Sequence, residues 1–131
     1  MPASTYWANK IYNATYKATN LTAPATVYIA LFTSTASLAE LKAGTLTNEV
    51  TGGSYARTAC TFGSPTDGDG TGGTTTFPTA TAGWGTVRYA AAMDASTAGN
   101  VLEYGQLTSD VTVNSGNTYQ FNSGSIVATV D

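Results

Sequence analysis

The first helix of the chain is predicted by apolar residues that recur with a helical period. Four of them follow the spacing i, i+4, i+7 and i+11, which places them on one helix face: Trp7, Ile11, Ala14 and Ala18. Ser4 or Thr5 can cap the N-terminus, because a hydroxyl oxygen can accept from the free backbone N–H groups of the first turn. Pro24 and its polar neighbours end the segment. The pattern predicts a helix over residues 4–18.

From residue 26 onward the apolar period becomes two, which is typical of β-strands. In Thr26–Thr33 both alternating sets are apolar, so this strand is expected to be central and covered on both faces. Further strands are predicted between glycine- and asparagine-rich turns, at 55–62, 74–78, 85–93, 101–107, 111–113, 118–121 and 125–130. We therefore expect a mainly β fold with one N-terminal α-helix. Its core is an antiparallel β-sandwich of about eight short strands over residues 26–131, jelly-roll-like, within a single domain 1–131.

Residues 63–73 combine five glycines with Asp67 and Asp69 and predict an exposed loop. So many glycines are not expected to order without contacts from outside the segment. The run from Asp67 to Gly72 is similar to the beginning of a calcium-binding loop. However, Pro78 stands at the twelfth position, where a bidentate glutamate is needed. The solvated loop is therefore the favoured interpretation, and no metal site is predicted.

Charged residues are scarce and their distribution excludes several partners. They make up 10% of the chain, against roughly 25% in an average soluble protein. With 25 threonines, the polar surface is built mainly from uncharged residues. The net charge of -3 argues against nucleic acid, which requires clustered Lys and Arg. Val27–Phe32 is too short to span a membrane and no signal peptide is evident, so no membrane partner is expected.

The charge is also uneven along the chain. Residues 1–42 contain three lysines and one glutamate, a balance of +2. Residues 43–131 contain two arginines and seven acids, a balance of -5. The three lysines are too sparse for a nucleic-acid-binding arm but could face an acidic protein surface. The alternative is an ordinary solvated helix face.

The side chains required by common catalytic mechanisms are missing. Histidine is absent, which removes the usual general base and metal ligand. Cys60 is the only cysteine, so no intrachain disulfide can form, and it is expected in the core. The eight acids are scattered, and only Asp67 and Asp69 are close in sequence. The sequence therefore predicts no catalytic residues, no cofactor and no enzymatic activity.

Aromatic residues offer the best candidates for binding, since the chain has eight Tyr, four Phe and two Trp. Trp84 stands between Gly83 and Gly85, which permit an unusual turn that could direct the indole toward a partner. The alternative is that Trp84 fills one end of the sandwich core. Exposed aromatic side chains on a β surface could also stack on sugars.

Nearly the whole chain resembles a family of small virion proteins of tailed phages, often described as tail fibre or minor structural proteins. The resemblance rests on segments that occur in order with similar spacing: 23–31, 53–57, 77–81, 84–87, 94–95, 99–102, 104–105 and 113–117. The glycine-heavy loop at 63–73 departs from the family pattern. The resemblance implies a non-catalytic structural protein of the virion, assembled in the host cytoplasm.

The chain lacks the long repeats or coiled-coil stalk expected of a fibre shaft. Its size and the resemblance instead favour a capsid decoration (cement) protein that bridges subunits of the shell. The expected partners are the major capsid protein or other virion proteins, together with further copies of the chain, a trimer being favoured. The candidate contact residues are Trp7, Ile11, Asp67, Asp69 and Trp84.

Two other functions remain open on the sequence. One is a tail-associated or tail-fibre module that binds a host surface glycan or receptor. It predicts an exposed cluster of Tyr or Trp beside Asp and Asn side chains. The other, a cell-wall hydrolase, fits least well because it needs paired carboxylates in a cleft.

Overall fold

Four antiparallel strands form the main sheet of the protein. In a computed structural model, which describes residues 1–130, the strand order of this sheet is β2-β1-β5-β6. Two two-stranded ribbons, β3-β8 and β4-β7, accompany it. The elements are α1 (Thr5–Tyr16), β1 (Val27–Thr33), α2 (Leu38–Ala43), β2 (Thr58–Cys60), β3 (Asp69–Thr71), β4 (Thr75–Thr76), β5 (Gly85–Met93), β6 (Val101–Val113), β7 (Gln120–Phe121) and β8 (Val127–Thr129).

Strand β1 is covered on both faces, as its two apolar sets predict. Ile29 and Leu31 belong to one buried cluster, while Ala30 and Phe32 belong to another. The second cluster includes Leu41 of α2, which is fully buried. Because neither face of β1 meets water, hydrophobic residues are favoured at every position of its centre.

The second layer of the sandwich is made largely by the segments that carry the two ribbons. Phe77, Phe121 and Ile126 come from these segments and are buried in the same cluster as Ile29 and Leu31 of the main sheet. The prediction of a mainly β, antiparallel sandwich with an N-terminal helix is confirmed. The jelly-roll topology stays a prediction, since the second layer consists of separate ribbons.

Helix α1 is two residues shorter at its C-terminal end than the sequence predicts. Ser4 is the N-cap, and its hydroxyl oxygen accepts from the Trp7 backbone N–H at 3.1 Å. The helix ends at Tyr16, and Ala18 has a positive φ of 52°, so Ala18 does not continue the predicted apolar face. Before the helix, the N-terminal residues lie along β6, where the Ser4 N–H donates to the Leu102 carbonyl at 2.8 Å. No helix of residues 1–130 is long and apolar enough to cross a membrane.

The glycine-rich segment 63–73 is more ordered than its composition suggests. Asp69–Thr71 pairs with β8, and Thr66 and Asp69 exchange backbone hydrogen bonds of 2.8 and 2.9 Å. Asp67 and Gly68 between them have φ values of 52° and 83°, which is the geometry of a tight hairpin turn. The predicted loop is therefore a hairpin, and its order depends on contacts from outside the segment, as expected. Asp-Gly is a strong hairpin signal, and β8 supplies the missing hydrogen bonds.

The strands predicted at 101–107 and 111–113 are one long strand, β6, interrupted by a bulge. Val87 pairs with Val111 and Tyr89 pairs with Gln106, so residues 107–110 stand opposite the single residue Arg88. These extra residues leave the ladder, as bulge residues do. Leu107 packs against the core, and residues 108–110 are exposed. The bulge creates one wall of a surface groove.

Candidate functional site

The exposed surface of α1 is the most aromatic surface of the molecule. None of the helix residues is buried. Tyr6, Tyr12 and Tyr16 have exposed fractions of 36%, 57% and 74%. The Tyr12 and Tyr16 rings are 5.0 Å apart, as the spacing i, i+4 allows, and Lys10 Nζ lies 5.5 Å from the centre of the Tyr6 ring. We call these four residues the tyrosine face.

Two predicted contact residues, Trp7 and Ile11, lie on the other side of the same helix. Both are half-buried, and Trp7 packs against the cluster of the main core. Trp7 attaches the helix to the domain, and the three tyrosines remain exposed. Sequence reasoning followed this apolar stripe and missed the tyrosine face, although the i, i+4 spacing of Tyr12 and Tyr16 was a usable signal.

Asp67 and Asp69 lie at the tip and the first strand residue of the Thr66–Asp69 hairpin. Both are exposed, and neither carboxylate makes a hydrogen bond or ion pair within residues 1–130. The hairpin fixes their backbones, since the Val130 N–H donates to the Gly68 carbonyl at 3.0 Å. They give the hairpin a small, exposed, negatively charged surface.

Trp84 lies in the core, with only 4% of its surface exposed. Its indole Nε1 donates to the Gly53 carbonyl at 2.9 Å, and its ring meets Tyr55 edge-on at 5.4 Å. Gly53 permits this approach, because a Cβ there would lie 2.9 Å from the indole. Of the two alternatives for Trp84, the structure therefore agrees with the one in which the side chain fills part of the core. Its indole has almost no exposed surface to offer a partner.

A buried charged network joins three loops, and sequence reasoning missed it. Arg57 donates from Nε and Nη2 to the two carboxylate oxygens of Glu49 at 2.8 and 2.7 Å. Its Nη1 donates to the carbonyls of Ala95 and Ala98 at 2.9 and 2.7 Å. The Tyr55 hydroxyl donates to Glu49 at 2.8 Å and accepts from the Leu31 N–H at 3.0 Å.

The network is saturated, which suits a structural role. The side chains of Arg57 and Glu49 are only 4% and 14% exposed. Burial, together with the Glu49 charge, holds the pKa of Tyr55 far above its usual range, so its hydroxyl stays a donor. Hydrogen bonding to Glu49 raises the pKa of Arg57. The carboxylate of Glu49 accepts three hydrogen bonds, which leaves it poorly suited to act as a base.

Other acidic side chains also have structural partners. Asp94 accepts from the backbone and side-chain N–H groups of Asn100 at 2.7 and 3.0 Å. Glu103 is buried and accepts from the Thr129 N–H at 3.0 Å. Across residues 1–130, no three Asp, Glu, His or Cys side chains are close enough to hold a metal ion together.

A family model described as "Podophage GP4 fiber I protein gp80" matches residues 2–129. The chain belongs to this family. No curated protein matches the chain. The resemblance to phage virion structural and tail fibre proteins is thereby confirmed, and the chain is a phage structural protein.

All surfaces described above lie within the part of the chain that the family model matches. It extends from the residues that precede α1 to the end of β8, and so includes the tyrosine face and the acidic hairpin. Membership in a family of phage fibre proteins makes contact surfaces, rather than a reaction centre, the features to explain.

Proposed function

We propose that the chain is a non-catalytic building block of a phage fibre. The observation that carries this proposal is the match of the fibre protein family over residues 2–129. The saturated Glu49–Arg57 network and the lack of histidine support a role without catalysis. The predicted capsid decoration role is the competing location, and the fibre description of the family favours the tail. Counting copies per particle separates the two.

The tyrosine face is the attachment surface in this proposal. Tyrosine is enriched among residues that dominate binding energy, because its ring buries a large area and its hydroxyl can still hydrogen-bond. An aromatic helix surface with no buried residue is a reasonable place for another subunit to bind. Trp7 and Ile11 contribute by holding the helix, not by direct contact.

The partner that fits this face is another copy of the chain. The segment that contains α1 has a balance of +2, and the remainder has -5. Lys10 and Lys17 of one copy would meet an acidic surface of the next, and exposed Asp67 and Asp69 provide one. A head-to-tail contact gives a ring when the rotation between copies closes and an open filament when it does not. The arrangement that we favour is a closed trimer. Assembly would take place in the host cytoplasm before the particle is complete.

This proposal predicts that the double substitution Tyr12→Gln and Tyr16→Gln separates the subunits. Each hot-spot tyrosine is expected to contribute about 2 kcal/mol to association. Light scattering after size-exclusion chromatography should therefore find an oligomer for the wild type and a monomer for the variant. The variant should still fold, with a circular-dichroism spectrum like that of the wild type, because both side chains are exposed.

The matched control replaces exposed apolar residues elsewhere, with Leu21→Gln and Leu38→Gln. This variant should remain oligomeric, and high salt should weaken the oligomer because the contact includes charges. A monomeric wild type at every concentration, or equal association of both variants, contradicts the proposed contact.

A further inference from the structure

A groove separates the bulge of β6 from β7 and the turn that follows it. Its volume is about 510 Å³, within the usual range of roughly 300–1,000 Å³ for small-ligand sites. Thr108 and Ser109 of the bulge line one part, and Tyr119, Gln120 and Asn122 line another. The bulge is braced from below, since Arg88 donates to both carboxylate oxygens of Asp110 at 2.9 and 2.8 Å.

Two amide groups of the groove, those of Gln120 and Asn122, are already oriented by hydrogen bonds. Gln120 Oε1 accepts from the Thr76 hydroxyl at 2.7 Å, and Gln120 Nε2 donates to Asn122 Oδ1 at 3.0 Å. The second N–H of Gln120 and both N–H groups of Asn122 Nδ2 remain available as donors. Gln106 adds an exposed amide that makes no side-chain hydrogen bond within residues 1–130.

An aromatic side chain completes the lining and is held rigidly. The half-buried Tyr119 ring meets Phe121 edge-on at 5.1 Å and lies 6.3 Å from Phe77. Its hydroxyl has no hydrogen-bond partner within residues 1–130, and burial raises the pKa of this group. The phenol therefore stays neutral and can both donate and accept.

Among residues 1–130, no Asp, Glu, Lys or Arg lines this groove. Fixed amides, hydroxyls and an aromatic ring suit a ligand that presents many hydroxyl groups and apolar C–H faces but no charge. A charged ligand would lose hydration without finding a counter-ion. We propose that the groove binds a neutral oligosaccharide.

This proposal goes beyond the structural role and does not depend on it. It assigns a site to the glycan-binding function that the sequence left open. The site differs from that expectation in having Asn and Gln side chains, rather than Asp, beside the aromatic residue. The site also requires the bulge at 107–110, since the residues of one wall belong to it.

The test is binding of the full chain to an array of neutral and acidic oligosaccharides, followed by titration of the bound sugars in solution. Dense display on the array reveals weak binding through multivalency. The wild type should bind neutral glycans, and Asn122→Ala and Gln106→Ala should each weaken binding about tenfold, the size expected for loss of a buried hydrogen bond. Both residues are exposed in the free protein, so both variants should fold.

The control is Asn20→Ala, which removes an exposed amide outside the groove and should leave binding unchanged. Three outcomes overturn the proposal: no binding to any neutral glycan, binding only to acidic glycans or peptides, or equal affinity of the wild type and the two groove variants. None of these outcomes would alter the copy number in the particle, so the fibre proposal is judged separately.

Discussion

Replacement of Arg57 by methionine is expected to lower the free energy of unfolding by about 3–5 kcal/mol. The substitution removes four hydrogen bonds from a side chain that is only 4% exposed. Glu49, which is 14% exposed, would keep its charge with the Tyr55 hydroxyl as its remaining partner in the network. Two backbone carbonyls, of Ala95 and Ala98, would lose their donor as well. Chemical denaturation followed by circular dichroism measures the change.

The chain contains a matched control for this experiment. Arg88 and Asp110 form the same bidentate geometry, with distances of 2.9 and 2.8 Å, but their side chains are 36% and 42% exposed. Arg88→Met should therefore cause a much smaller change, because water already solvates both groups. Equal losses for Arg57→Met and Arg88→Met would show that burial of the Glu49 network is not what makes it important.

Trp84→Ala is expected to destabilise the fold by about 3–5 kcal/mol, the usual range for loss of a buried aromatic side chain. The indole is 4% exposed, so its removal leaves a cavity beside Tyr55 and an unpaired carbonyl at Gly53. The thermal midpoint should fall by roughly 10–20 °C for a domain of this size. Calorimetry measures both quantities.

Trp7→Ala serves as the comparison, because it makes the same change at a half-buried position on α1. Because the Trp7 side chain is only half-buried, its removal is expected to lower the free energy of unfolding by about half as much, roughly 1–2 kcal/mol. If Trp84→Ala were no more harmful than Trp7→Ala, the indole would not be the core element that its position indicates. Loss of self-association by Trp84→Ala without loss of stability would restore its predicted role as a contact residue.

The parts of the fold that were predictable from the sequence are those set by local periodicity. The central position of β1 follows from its two apolar sets, and the start of α1 follows from the Ser4 cap. Each of these signals is contained within a few neighbouring residues. The end of α1 was harder to predict, because an alanine gives no sequence signal for the left-handed backbone conformation that Ala18 adopts.

Features that depend on distant partners were not predictable in this way. The 107–110 bulge appears only when β5 and β6 are set in register, and the order of Asp69–Thr71 depends on β8. Arg57 meets Glu49 and the Ala98 carbonyl through contacts across as many as 41 residues. From the sequence alone, Glu49 was therefore grouped with the scattered acidic residues.

The candidate contact residues show the same difference between local features, which the sequence predicts, and features that depend on distant partners. Trp7 and Ile11 were correctly assigned to one helix face, but that face is turned toward the domain. Asp67 and Asp69 are exposed as expected, although on a hairpin rather than a loose loop. The groove beside Tyr119 combines β6, β7 and the following turn, so no local pattern indicated it.

The number of copies per purified virion tests the central claim most directly. Quantitative mass spectrometry with isotope-labelled peptides of this chain and of the major capsid protein gives that number. A fibre component attached at a symmetric tail should be present in roughly a few to a few dozen copies. Hundreds of copies, in proportion to the shell protein, or absence from the particle would contradict the proposed role.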